Sequence, residues 1–171
     1  PEEHEGCFFQ LTRKHDILLA AFVHRTCRGQ AAGGTRFWGY ESLEGVMRDG
    51  LRLSKGMTHK NALAGLWWGG GKGVVARAPE LDVQDSELRR EVFQEYGELM
   101  TAIGGCYVTA EDIGCDIHDM ASIFSATRFI TCIPPWLGGS GNPSAPTAQG
   151  VVAGMEAALA FHEMGSLEGK T

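Results

Sequence analysis

Nothing in this sequence marks a membrane, nucleic-acid or zinc protein. The longest apolar run, Ile17 to Val23, is strand-sized and far short of a bilayer span. The formal charge is −6 and no basic cluster stands against it, which argues against a polyphosphate partner. The opening PEEHEG is acidic and lacks the charged-then-apolar plan of a secretory leader. Five cysteines (Cys7, Cys27, Cys106, Cys115 and Cys132) are scattered, odd in number and without a CxxC pair. They read as reduced thiols in a cytoplasmic protein. The six histidines have no metal-ligand spacing, so no metal site is expected. What remains is a chain of 171 residues, 43% apolar and 21% charged, with no internal repeat. That is enough for one domain with its own core.

The stretch from Leu53 to Val75, LSKGMTHKNALAGLWWGGGKGVV, sets two lysines among apolar and glycine residues. Lys60 is expected just after a helix end. Lys72 is expected to leave a turn at Gly69-Gly70-Gly71 and to precede a buried strand, Gly73 to Ala76. A glycine triplet lets backbone come close to a neighbour, because no Cβ intervenes. A lysine emerging there beside Trp67 and Trp68 is partly desolvated, which lowers its pKa towards proton-transfer range. A plain surface lysine after a flexible turn is the alternative.

Cys7 to Thr12 and Ile17 to Thr26 alternate as strands, joined by the polar Arg13-Lys14-His15-Asp16. A third strand covers Ala31 to Tyr40, with a bulge or close approach at Gly33-Gly34. Leu43, Val46, Met47 and Leu51 recur at helical steps over Glu41 to Lys55, and Gly56 is the expected stop. A second helix spans about Ser86 to Ile103 and ends at Gly104-Gly105. Cys106 to Thr109 reads as a strand, Ile117 to Phe124 as a short helix and Phe129 to Ile133 as a further strand. Pro134 to Pro146 is a loop. A last helix begins near Pro146 and runs to about Met164. The fold class is α/β, a mixed sheet flanked by helices.

Lys60, Lys72 and Asp112 all fall at expected strand ends or loops, where reactive groups are commonly held. Asp112 follows the Cys106 to Thr109 strand and can share a sheet edge with Lys72. A carboxylate beside a desolvated lysine makes an acid–base pair, and two neighbouring lysines depress each other's pKa. An ordinary Lys–Asp ion pair is the alternative. The P-loop spacing fails around Gly65 to Lys72, and GxGxxG fails at Gly69 because Val74 takes the sixth place. The chain carries no complete nucleotide site of its own.

Five motifs stand together in order: GGTR (Gly33 to Arg36), LRLSKGMTHKNALAGL (Leu51 to Leu66), GGGK (Gly69 to Lys72), TAEDIG (Thr109 to Gly114) and SGNPSAPTAQGV (Ser140 to Val151). With them the chain resembles, from about Leu18 onward, the amino-acid dehydrogenase superfamily of glutamate, leucine, phenylalanine, valine and tryptophan dehydrogenases. The resemblance implies a substrate-binding and oligomerisation domain over residues 1–165, with 166–171 opening the link to an absent Rossmann domain. It implies reversible oxidative deamination of an L-amino acid to a 2-oxo acid and ammonia. NAD or NADP would be bound mainly by the absent domain, and the assembly would be a homodimer or higher homo-oligomer. Lys72 would be the catalytic lysine that activates water, and Asp112 would exchange a proton with the substrate amine. Lys60 would bind the α-carboxylate, Gly34 would lie against the substrate, and Thr147 would face the nicotinamide.

By the same resemblance Ala32, Met57, Ala110 and Thr131 line the side-chain pocket, and none is charged, which argues against glutamate. Ala32 replaces a bulky aliphatic residue of the leucine-type enzymes and so enlarges the pocket. Trp67 and Trp68 either stack on an aromatic substrate or serve packing. The expectation is an aromatic substrate, tryptophan before phenylalanine, with leucine or another branched-chain amino acid as the alternative. Two further readings are an isolated module that only binds or dimerises, and a Schiff-base enzyme using Lys72 alone.

Overall fold

The segments on either side of Arg13-Lys14-His15-Asp16 form an antiparallel pair, β1 (Gly6–Leu11) and β2 (Leu18–Arg25). A computed structural model of the chain describes residues 3–77 and 81–170. β3 (Ala31–Gly39), β4 (Gly69–Arg77) and β5 (Tyr107–Glu111) complete a five-stranded sheet in the order β1-β2-β4-β3-β5. β4 pairs antiparallel with β2 and parallel with β3, and β3 pairs parallel with β5, so the sheet is mixed as expected. Among the described residues the helices are α1 (Leu43–Leu63), α2 (Ser86–Ala102), α3 (Ile117–Ala126) and α4 (Ser144–Phe161), with one 3-10 turn at Pro135–Leu137. The chain packs as two units, one up to Gly141 and one from Asn142 onward that contains α4.

Strand alternation sorts the core into two layers. Leu19, Ala21, Val23, Phe37, Val75 and Tyr107 pack with Phe93, Tyr96 and Met100 of α2 and Met120 and Ile123 of α3. On the opposite face Ala20, Phe22 and Val74 pack with Val46, Met47 and Leu51 of α1. Helix α1 covers that face over β2 and β4 and leaves its β3–β5 side less covered, with Gly34, Ala110 and Asp112 only partly buried.

Four expectations about local structure are corrected. Gly56 does not stop α1, which runs on to Leu63; an added Cβ at Gly56 would meet nothing within 4 Å. The stop is Gly65, at φ +70°, where Gly65 N–H donates to the Ala62 carbonyl and Leu66 N–H to Asn61. Next, Gly69-Gly70-Gly71 is not a turn but the first part of β4. The glycines are needed for packing: a Cβ on Gly70 would run into Thr58 of α1, whose helix lies directly on the strand. Asn61 locks this seam by donating to the Gly69 carbonyl at 2.6 Å. Finally, Phe129 to Ile133 is no strand. It makes one parallel bridge, Thr109 to Ile130, before Cys132 turns the chain away at φ +57°. α4 also begins at Ser144 and ends at Phe161, short of Met164.

Candidate active site

Lys72 sits in the middle of β4, on the same face as Val74 and Gly70, and its side chain is only 7% exposed. It donates to Oδ2 of Asp112, the residue that follows β5, whose side chain is 27% exposed. Parallel register explains the meeting. β3 pairs with β4 at Ala32–Gly70 and Thr35–Gly73, so Gly34 lies level with Lys72; on its other side Gly34 pairs with Ala110. Asp112, two residues beyond Ala110, projects from the same face of β5. The Gly33-Gly34 pair keeps this register without a bulge; the sheet's irregularity falls in β2, between Val23 and Arg25. Gly34 is there because a Cβ would come within 2.6 Å of the Asp112 Cβ and 3.0 Å of the Glu111 carbonyl oxygen. Ala32, Gly34 and Ala110 thus make a floor almost without side chains, with an ammonium and a carboxylate at its rim.

Burial pushes the Lys72 ammonium's pKa down; Asp112 opposes this and the Arg36 guanidinium adds to it. The sequence pointed to Lys60 as the neighbouring cation, but it is Arg36 that plays that part. Arg36 lies two residues beyond Gly34 on β3, and its Nη1 donates to Asp49 of α1 at 2.7 Å. Tyr40 OH donates to the same carboxylate oxygen at 3.0 Å, and Arg52 reaches Oδ1 at 3.1 Å. Beneath the floor, on the α2 side, hydroxyls replace hydrocarbon: Tyr107 OH donates to the Gly33 carbonyl at 2.7 Å, and Thr35 bonds to both Tyr96 and Thr109. Cys115 Sγ donates to the Thr35 carbonyl at 3.1 Å, and burial drives its thiol pKa well up.

The remaining expected residues are distributed unevenly. Met57 of α1 reaches over β3, its Cγ being 3.1 Å from where a Gly33 Cβ would stand. Lys60 is exposed in the last turn of α1, within the helix rather than after it. It lies three residues beyond Met57 and therefore on the same side of the helix. Thr131 hangs at the edge of β5, its N–H and Oγ1 both donating to the Thr109 carbonyl, at 2.8 and 3.3 Å. Thr147 belongs to the second unit, where its Oγ1 donates to the Pro143 carbonyl at 2.7 Å. The tryptophans do not flank Lys72. Trp67 is 80% exposed ahead of β4, with Arg28 5.2 Å from its ring, at the end of the parallel strands away from Asp112. Sequence reasoning passed over Arg36, although its place two residues after Gly34 on a strand put it on the same face.

An α/β domain that turns one buried ammonium and one carboxylate towards a floor of glycine and alanine has the form of a small-molecule site. Residues 13–129 match the family model described as Glu/Leu/Phe/Val dehydrogenase, dimerisation domain, and the chain belongs to that family. Leucine dehydrogenase of Bacillus subtilis (strain 168) is 47% identical over 170 residues, covering 99% of this chain and 45% of that protein. Phenylalanine dehydrogenase of Lysinibacillus sphaericus is 38% identical over 150 residues, covering 87% of this chain and 38% of that protein. The crystal structure of L-tryptophan dehydrogenase from Nostoc punctiforme matches with a TM-score of 0.71 at 28% identity, covering 92% of this chain and 42% of that one. The chain therefore spans less than half the length of these relatives. No described helix is long and apolar enough to cross a membrane, and the five cysteines are free thiols.

Proposed function

We propose that this chain is the substrate-binding and oligomerisation part, over residues 1–165, of an NAD(P)-dependent L-amino-acid dehydrogenase that interconverts an amino acid with its 2-oxo acid and ammonia. Residues 166–171 lead, on this reading, to a cofactor-binding domain. The observation that carries the reading is the Lys72–Asp112 pair above the Ala32–Gly34–Ala110 floor. A zwitterion needs a cation for its carboxylate and an anion for its ammonium. Lys60, exposed one turn beyond Met57, supplies the first, and Asp112 the second.

Each step then has a group with the right chemistry. Asp112 takes a proton from the substrate ammonium, which frees the nitrogen lone pair. A nicotinamide cofactor, when bound, would supply the hydride acceptor that no side chain can provide. Lys72, with its lowered pKa, takes a proton from water as the water adds to the imino carbon, hands it to the amine nitrogen, and takes the remaining hydroxyl proton as the carbonyl forms and ammonia leaves. Thr147 spends its hydroxyl proton on the Pro143 carbonyl, so on this reading it would offer the cofactor only an acceptor oxygen.

We infer an apolar substrate of the branched-chain class. The leucine dehydrogenase of Bacillus subtilis, 47% identical, supports this, as do the uncharged residues Ala32, Met57, Ala110 and Thr131. A second reading, an aromatic substrate, rests on the small side chain of Ala32 and on the likeness to the Nostoc punctiforme enzyme. It draws no support from Trp67, which lies at the other end of the strands. The test uses the complete gene product with NAD or NADP and a panel of leucine, valine, phenylalanine, tryptophan and glutamate, followed by cofactor reduction. Leucine or valine should give the highest kcat/KM. No reduction with any member would refute the dehydrogenase reading, and a preference for tryptophan or phenylalanine would select the second.

A further inference from the structure

Arg36 has a donor that its partners do not use. Its side chain is 19% exposed, and its guanidinium holds α1 through Nη1 and Asp49. Its Nε–H is buried, makes no hydrogen bond among the described residues, and stands 3.9 Å from Oδ2 of Asp112. That is beyond hydrogen-bond range yet needs only a small carboxylate rotation to close. The same Oδ2 is the atom that Lys72 grips. Both basic groups thus address one oxygen, and only one of them is bonded to it. A buried N–H left unbonded costs free energy, which a carboxylate oxygen moving about 1 Å closer would recover.

We propose that Arg36 is a positioning residue of this site: anchored to α1 through Asp49, it receives the Asp112 carboxylate on its spare Nε–H when that carboxylate leaves Lys72 for the substrate. The inference rests on the dehydrogenase reading and extends it. In the state described here Lys72 and Asp112 neutralise each other, and neither can do proton transfer while they remain locked together. A substrate ammonium arriving at Asp112 draws the carboxylate from Lys72. The Arg36 guanidinium then compensates the negative charge and fixes its direction, and its own charge favours release of the Lys72 proton. Arg36 from β3 stands beside the pair on its own face of the sheet, while Tyr107 of β5 and Cys115 of the following loop lie beneath the floor and couple to it electrostatically from there. Asp49, Arg52 and Tyr40 lie on the α1 side of the guanidinium.

The test has two readouts on the complete gene product. One is steady-state kinetics with leucine; the other is competitive labelling of Lys72 by acetic anhydride against pH, read by peptide mass spectrometry, which needs no activity. Arg36→Gln should lower kcat about ten- to a hundredfold with KM changed less than about threefold, and should move the Lys72 labelling midpoint to higher pH. Asp49→Asn loosens the α1 side of the guanidinium but leaves it beside Asp112; it should lower thermal stability without that upward move. If Arg36→Gln does not fold, the double variant Arg36→Met/Asp49→Leu removes the ion pair whole and leaves the partly exposed Tyr40 and the exposed Arg52 to water, and it should give the same two results. An unmoved midpoint with kcat within twofold of wild type overturns the proposal, as does an upward move of equal size in Asp49→Asn. If the wild type reduces no cofactor with any amino acid, the dehydrogenase reading fails while the labelling result still decides the role of Arg36.

Discussion

Replacing Gly34 by alanine isolates the close approach on which the site depends. The new Cβ would stand 2.6 Å from the Asp112 Cβ and 3.0 Å from the Glu111 carbonyl oxygen. Ordinary carbon–carbon contact begins near 3.5 Å, so about 1 Å must be found. The strands cannot part to provide it, because Gly34 is paired with Ala110 inside the β3–β5 ladder. Asp112, beyond the end of β5, is the group free to move. Overpacking of this kind costs roughly 1–3 kcal/mol. The lower unfolded-state entropy of alanine returns about 0.4–1 kcal/mol of it. A reacting group misplaced by about 1 Å loses on the order of a hundredfold in rate. Gly34→Ala should therefore melt only a few degrees lower while kcat falls about a hundredfold in the cofactor-reduction assay. Gly56→Ala is the matched control, since its Cβ enters open space in mid-helix. It should gain about 0.5–1 kcal/mol and leave turnover alone. If Gly34→Ala keeps wild-type kcat and stability, the tight floor is not what places Asp112.

Three further outcomes follow from single contacts. Asn61→Leu strips the Gly69 carbonyl of its buried partner and should cost about 1–3 kcal/mol in urea unfolding. His24 packs edge-on against His4 and accepts from or donates to Thr58 at 2.8 Å; burial holds its pKa below the ordinary histidine value, with His4 adding to the effect. The unfolded chain thus binds a proton before the folded one does, so His24's contribution to stability is full above about pH 6.5 and is lost as pH falls through the lowered folded value. The urea midpoint of wild type should drop more than that of His24→Gln over this window, and parallel curves would remove His24 as the cause. Ala32→Val narrows the floor and should shift kcat/KM from tryptophan towards valine by about tenfold, measured on the substrate panel.

The pieces of the fold legible in the sequence are those with strong local patterns. The β1–β2 hairpin and α2, ended by Gly104-Gly105 at φ +67° and +70°, lie close to where periodicity and glycine put them. The failures share a physical cause. A glycine has no side chain to say why it is there: Gly56 resembled a helix stop, and Gly69-Gly70-Gly71 resembled a turn. The first has open space where its Cβ would stand in mid-helix, and the second group is shaped by α1, β2 and β5 packing around it. Phe129 to Ile133 has the composition of a strand but is turned aside by the backbone at Cys132. At the site, Lys72 and Asp112 were legible as a pair because both fall at motif positions, forty residues apart in the chain and joined by parallel register. Arg36 was not, because its role depends on the distance to Asp112 across the sheet, which no local pattern encodes.

The central claim is that the buried Lys72 ammonium and the Asp112 carboxylate work together on one substrate. Its most direct test is Lys72→Ala in the complete gene product, with turnover of the best amino acid measured beside far-UV circular dichroism and thermal melting. Arg36 remains near Asp112 in that variant, so the partly exposed carboxylate keeps a cation and the fold should persist. Turnover should fall by at least about a hundredfold with an unchanged spectrum. Turnover within about twofold of wild type, in a folded variant, would contradict the account.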